Sequence, residues 1–274
     1  MSKGKFKAYD VDDYVAEIYD QTETQTEDVA LLRKQIDSST QLHIFEPFCG
    51  NGRISIPLAE GGHHIVGMDQ SHRMLSSAKQ KIQKLSREIQ ARIKLAHGDV
   101  TKDPWPTEID LVILGANCFY ELPTAEMQEH CIRRARQSLN VGGHLYLDND
   151  HMERELAEDW QDPGIVHENR FPTGQCADGT QVKGSMETVW FDAPNRLVRF
   201  RRTVEIRTTD GELRKKEWEE QKHPPSTGEM RSWLEKHDFE VECLWGDRNQ
   251  ASYTDGSDRA IFWARLCSKG QRCC

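Results

Sequence analysis

His43-Ile-Phe-Glu-Pro-Phe-Cys-Gly-Asn-Gly-Arg53 reads as the end of a strand, a glycine loop and the start of a helix. His43-Ile44-Phe45 is a short apolar run closed by Glu46, and a helix from about Ile54 to Ala59 stops at Gly61-Gly62. The pair Gly50 and Gly52 lets backbone approach a ligand closely, because no Cβ intrudes and positive φ is cheap. A dinucleotide-binding loop uses the same device, but its G-x-G-x-x-G needs a third glycine, and this chain has Ser55 there. Glu46, four residues before Gly50, favours a cation over a pyrophosphate.

The alternation continues outward from this segment. His64–Met68 is a second apolar run ending in Asp69, and Ser71 caps a helix whose apolar residues Met74, Leu75, Ala78, Ile82, Leu85 and Ile89 recur at three and four. Ile93–Ala96 ends near Gly98-Asp99, Ile109–Leu114 is strongly apolar, Thr124 opens a helix through Leu139, and Gly142-Gly143 leads into His144–Asp148. Such alternation predicts a parallel sheet with helices on both faces. Ligands of such sheets lie at the carboxyl ends of the strands, here marked by Glu46, Asp69, Asp99, Asn117 and Asp148–His151. The first forty residues read as helical and polar, with Val29, Leu31, Leu32 and Ile36 as a modest apolar stripe.

From about residue 160 the period becomes two. Val182–Phe191, Leu197–Arg207 and Leu213–Gln221 read as strands, the last two joined at Thr209-Asp210-Gly211. They predict an antiparallel β insert over 161–225 with at least one wet face. A helix near Gly228–His237 and strands Phe239–Leu244 and Arg259–Leu266 follow.

At 274 residues the chain holds one large domain or two small ones. Lys plus Arg number 36 against 45 Asp plus Glu, a net charge of -9, which argues against nucleic acid and anionic membrane surfaces as partners. No apolar run reaches membrane-spanning length, and Met1–Tyr14 lacks a signal-peptide stretch, so the expected location is cytoplasmic. None of the eight cysteines forms a C-x-x-C pair, and Cys273-Cys274 are simply adjacent. Neither a disulfide framework nor a metal site is expected.

A ligand carrying an ammonium, a ribose diol and an adenine amine would use all three acidic strand ends, and S-adenosylmethionine has those parts. The sequence here resembles the class I S-adenosylmethionine-dependent methyltransferases, in the small-molecule branch of glycine and amino-sugar N-methyltransferases. The residues that carry the resemblance are His43–Arg53, Val66-Gly-Met-Asp69, Gly98-Asp99-Val100, Asp110–Asn117, Gly142–Asp148, Phe239–Asp247 and Arg259–Arg265. They cover roughly 40–150 and 226–267.

The resemblance implies an α/β, doubly wound, mostly parallel seven-stranded Rossmann-like sheet: the methyltransferase domain over 41–160 and 226–267, with residues 1–40 as a helical lid. It implies S-adenosylmethionine as cofactor and S-adenosylhomocysteine as product. Glu46, Phe48, Cys49, Gly50, Asn51 and Gly52 would shape the methionine pocket, Phe48 standing where members often carry glycine. Asp69 would hold the ribose, with Gln70 and Met74 near the adenine and Gly98, Asp99 and Val100 at its edge. Gly115 and Ala116, with Asn117, would pass under the sulfonium. Tyr14-Val-Ala-Glu-Ile-Tyr19-Asp20 resembles the helix that closes over the cofactor, which makes Tyr19 a lid contact.

Methyl transfer from a sulfonium needs chiefly an aligned nucleophile, so no catalytic triad is expected. Asn117, Tyr120 and His151 are the candidates for positioning the acceptor, and Tyr14, Asn149, Arg199 and Arg201 for binding it. Each has a plainer reading: His151 and His223 as structural imidazoles, the arginines as a solvated face paired with glutamates of 212–220, and Cys118 as a packed thiol. The expected acceptor is a small molecule, the insert covering it or joining a second subunit as a homo-oligomer. A non-catalytic S-adenosylmethionine or nucleotide sensor is the competing reading, and an NAD-dependent oxidoreductase is disfavoured by the missing glycine.

Overall fold

The computed structural model describes residues 12–37, 39–151, 160 and 163–268; Cys273 and Cys274 lie outside them. In chain order these form α1 (Tyr14–Thr22), α2 (Glu27–Gln35), β1 (His43–Glu46), α3 (Ser55–Glu60), β2 (His64–Asp69), α4 (His72–Ile82), α5 (Arg87–Arg92), β3 (Ile93–His97), β4 (Ile109–Leu114), α6 (Ala125–Ser138), β5 (Leu139–Asp150), β6 (Val166–Gln175), β7 (Gln181–Asp192), β8 (Leu197–Arg207), β9 (Leu213–Lys222), α7 (Thr227–Lys236), β10 (Phe239–Trp245) and β11 (Arg259–Leu266). They divide into two compact units, one of Gln25–Glu153 with Pro225–Cys274, the other of Met1–Thr24 with Arg154–Pro224.

In the larger unit, seven strands run in the order β10-β11-β5-β4-β1-β2-β3. β1 to β5 are mutually parallel, and β11 lies antiparallel between β5 and β10. Helices on both faces are what the apolar runs require. Phe45, Val112, Leu114, Leu145, Leu147 and Phe262 pack with Ile132 and Ala135 of α6 and Met230 and Leu234 of α7. Their strand neighbours Ile44, Leu111, Ile113, Tyr146 and Ile261 pack the other way, with Leu31 and Leu32 of α2 and Leu58 of α3. A strand buried on both faces carries no polar alternation, hence Ile109–Leu114.

The helix expected through Ile89 is broken. Ser86 accepts the Ile89 N–H and starts α5 anew. No residue of α5 is buried, so no core face holds α4 and α5 as one rod.

The smaller unit is a four-stranded antiparallel sheet in the order β6-β7-β8-β9. β6 was not among the strands read from sequence: its register against β7 shifts twice, and Val166-His-Glu-Asn-Arg-Phe-Pro does not alternate. Val182, Val204, Ile206 and Trp218 form its apolar face, on which α1 lays Val15 and Ile18. The first forty residues are therefore shared: α1 packs in this unit, whereas α2 packs in the larger one through Leu31 and Leu32. No helix among the described residues is long and apolar enough to cross a membrane.

Candidate functional site

The loop after β1 is tied to β2. The Cys49 N–H donates to the Met68 carbonyl at 3.0 Å, and the Gly52 N–H to the Cys49 carbonyl at 2.9 Å. Gly50 and Gly52 have φ of +51° and +82°, the left-handed region in which glycine is unstrained. Asp69, closing β2, accepts the Gly50 N–H and the Ser71 N–H, each at 2.8 Å. The expected ribose ligand is thus also the brace of the glycine loop.

Glu46 is 5% exposed and accepts a hydrogen bond from the Ser55 hydroxyl. Burial pushes its carboxyl up to about 8, against the opposing pull of Ser55 and the Arg53 guanidinium. Around the same end of β2, Met74 is buried in α4 and donates its N–H to the Ser71 cap. The Gln70 carbonyl pairs with His97 Nε2 at 3.0 Å, and Asn51 and Cys49 are buried while Phe48 is half-buried.

On the next strand end, the Gly98 N–H donates to the Asp69 carbonyl at 3.0 Å. Asp99 Oδ1 accepts from the Thr101 N–H at 2.9 Å and its hydroxyl at 2.6 Å, and Oδ2 from Lys102 Nζ at 2.7 Å. Burial alone would raise this carboxyl, but the hydrogen bonds from Lys102 and Thr101 outweigh it and hold it at about 2. Val100 is buried, and its carbonyl accepts from the Trp105 indole at 3.0 Å.

After Gly115, the β4 loop turns through two non-glycine residues at positive φ, Ala116 at +52° and Asn117 at +61°. Asn117 Oδ1 accepts from the Asp150 N–H at 2.7 Å and from Arg259 Nη2 at 3.1 Å, and Nδ2 donates to Asp150 Oδ2 at 2.8 Å. Its amide is thus bound inward at both ends, to Asp150 and to Arg259. Tyr120 is buried, with its hydroxyl donating to the Asp150 carbonyl at 3.1 Å. Asn149 is fully buried with Nδ2 at 3.4 Å from Met230 Sδ, which turns it toward α7. His151 Nε2 lies 2.9 Å from the Tyr253 hydroxyl, itself 3.1 Å from the Thr227 hydroxyl.

The remaining expected residues belong to the smaller unit. Tyr14 donates to Asp178 Oδ2 at 3.4 Å, and Tyr19 meets the Phe171 ring edge-on. Arg201 is held by Glu187 at 3.0 Å and Glu219 at 3.4 Å, and Arg199 lies over the Trp190 ring. Carboxylates of its own sheet neutralise Arg201, the pairing expected of a solvated face.

A charge network beneath the site had escaped the sequence reading. Arg53 grips Asp28 with both Nη atoms at 2.9 and 2.5 Å. Arg248 Nε reaches Asp148 Oδ2 at 3.1 Å, and Arg259 reaches Asp148 Oδ1 at 2.6 Å and Asp150 Oδ1 at 2.5 Å. Three arginines thus face three aspartates, two of which, Asp28 and Asp148, are fully buried; buried charges persist only when paired in this way. Nothing local in the sequence marks these partners, which come from segments far apart in the chain.

The cysteines near the site are inert by burial, which pushes the thiols of Cys49, Cys118 and Cys131 well up. Since the thiolate is the nucleophile, native protein treated with iodoacetamide should leave these three unmodified by peptide mapping, and denatured protein should not.

The family model for a methyltransferase domain matches residues 44–143. The solved structure of the CcbJ methyltransferase from Streptomyces caelestis is similar at 17% identity and a TM-score of 0.72, over 96% of this chain and 99% of that one. An S-adenosylmethionine-dependent methyltransferase from Clostridium acetobutylicum matches at 14% and 0.72, over 92% and 98%. The sugar N-methyltransferase KedS8 from Streptoalloteichus matches at 14% and 0.67, over 98% and 99%. No curated protein is significantly similar in sequence.

Proposed function

With a methyltransferase domain at residues 44–143 and the fold of S-adenosylmethionine-dependent methyltransferases along its length, we propose that this protein transfers a methyl group to a nitrogen or oxygen of a small molecule. The observation that carries the reading is the joining of three features at adjacent strand ends: buried Glu46, the left-handed Gly50 and Gly52, and Asp69 bonded to Gly50. That set fits the cofactor. Glu46 would meet the α-ammonium and the glycine loop would cradle the methionine portion. Asp69, which braces the Gly50 and Ser71 N–H groups, would meet the ribose diol from the end of β2. Asp99 Oδ2, with one donor on it, has an acceptor site for the adenine amine, beside buried Val100. The turn Gly115-Ala116-Asn117 would lie beneath the sulfonium.

S-adenosylmethionine supplies an electrophilic methyl. The chain's own work is to hold the acceptor in line, at about 3–3.5 Å, and to take a proton where the acceptor arrives protonated. His151, hydrogen-bonded to Tyr253, follows the end of β5 and would be the group to take it. The likeness to a sugar N-methyltransferase favours an amine as acceptor.

In a thermal-shift titration, S-adenosylhomocysteine at ~100 times its dissociation constant should stabilise the protein by about 2.7 kcal/mol, and NAD should not. Incubation with S-adenosylmethionine and a pool of small amines should then yield S-adenosylhomocysteine. A shift with NAD alone overturns the cofactor assignment, and binding without turnover on any pool leaves a sensor and overturns transfer.

A further inference from the structure

We propose that Arg259 is a positioning residue for the methyl-transfer end of the site, fixing the left-handed turn Ala116–Asn117 through Asn117, Asp148 and Asp150. The proposal rests on the reading above only for what that turn lies beneath.

Two consecutive non-glycine residues at positive φ persist only where their surroundings over-determine them. Ala116 has no polar side chain to help, so the constraint falls on Asn117. Its N–H donates to the Asp148 carbonyl at 3.0 Å, and its amide is bound on both ends as described. One guanidinium closes the set: Nε to Asp148, Nη1 to Asp150, Nη2 to Asn117. The planar fork holds its donors in fixed directions toward these three acceptors, a geometry that a lysine ammonium, a point charge on a flexible stem, does not reproduce. Strand register brings Arg259 there, because β11 sets it directly opposite Asp150 on β5. Asp148 has two other partners, Arg248 Nε and the Tyr146 hydroxyl, both at 3.1 Å. Removing Arg259 therefore leaves no bare buried charge, and the sheet remains while the turn loosens.

The test compares wild type with Arg259→Lys and Arg259→Gln. Hydrogen exchange of the amides at 115–121 should accelerate by about tenfold or more in both variants, with the strands of the sheet unchanged. By calorimetry, affinity for S-adenosylmethionine should fall about tenfold further than affinity for S-adenosylhomocysteine, since only the former places a methyl sulfonium against the turn. A merely structural role would weaken both ligands alike, and that result, or unchanged exchange at 115–121, overturns the proposal. Should neither Arg259 variant fold, Asn117→Gly removes the anchored amide while relieving the backbone, and the same two measurements decide. If wild type binds neither ligand, the functional reading fails, and the exchange measurement alone decides the role of Arg259.

Discussion

Asp69→Ala should lose the ligand and part of the fold together. Hydrogen bonds to a charged group contribute about 1.5–3 kcal/mol each, so losing two from a ribose should cut affinity for S-adenosylhomocysteine by ~100-fold or more. In the same variant the Gly50 and Ser71 N–H groups lose their acceptor, which should lower the stability of the unliganded protein by about 2 kcal/mol. Chemical denaturation and calorimetry on one preparation measure both. Affinity within threefold of wild type would remove Asp69 from the site, whatever the stability did.

Glu46 should make both stability and binding depend on pH. Its folded value of about 8 lies above the ordinary glutamate value of 4.5, so across that window the folded chain retains a proton that the unfolded chain has released. The contribution of Glu46 to stability is therefore greatest below the lower value and declines as pH rises, by at most roughly 1.4 kcal/mol per pH unit, levelling above about 8. A ligand ammonium reverses the preference, because it favours the ionised carboxylate. Binding of S-adenosylhomocysteine near pH 7 should then release a proton and tighten by up to tenfold per unit as pH rises toward 8. Calorimetry in two buffers of different ionisation enthalpy reads that proton directly. Glu46→Gln should abolish the release and flatten both profiles, and wild-type binding with no proton released at pH 7 would refute the assignment.

The sheet was legible because its signals are local. Runs such as Ile109–Leu114 are buried on both faces and announce themselves, and Gly50 and Gly52 do stand at positive φ. β6 was not legible, since its pairing depends on two register shifts rather than on alternation. At the site, the strand-end acids were visible as types but not in their engagements. Asp69 braces a loop, Asp99 closes its own turn on Thr101 and Lys102, and Asn117 is bound inward. Such engagements depend on which residues the register places opposite one another. Arg259 shows why: its sequence neighbours are Asp258 and Ala260, and its working partners come from β5 and the loop after β4.

The Tyr253 hydroxyl touches both His151, where the larger unit's chain departs, and Thr227, soon after it returns. Within the larger unit, one side chain thus bridges the two ends between which the chain leaves and returns. Closing a loop between fixed, neighbouring ends depends only on the logarithm of its length, about 0.6 kcal/mol for each doubling. Length added between these two ends should therefore cost the sheet that carries Glu46 and Asp69 little beyond that closure term.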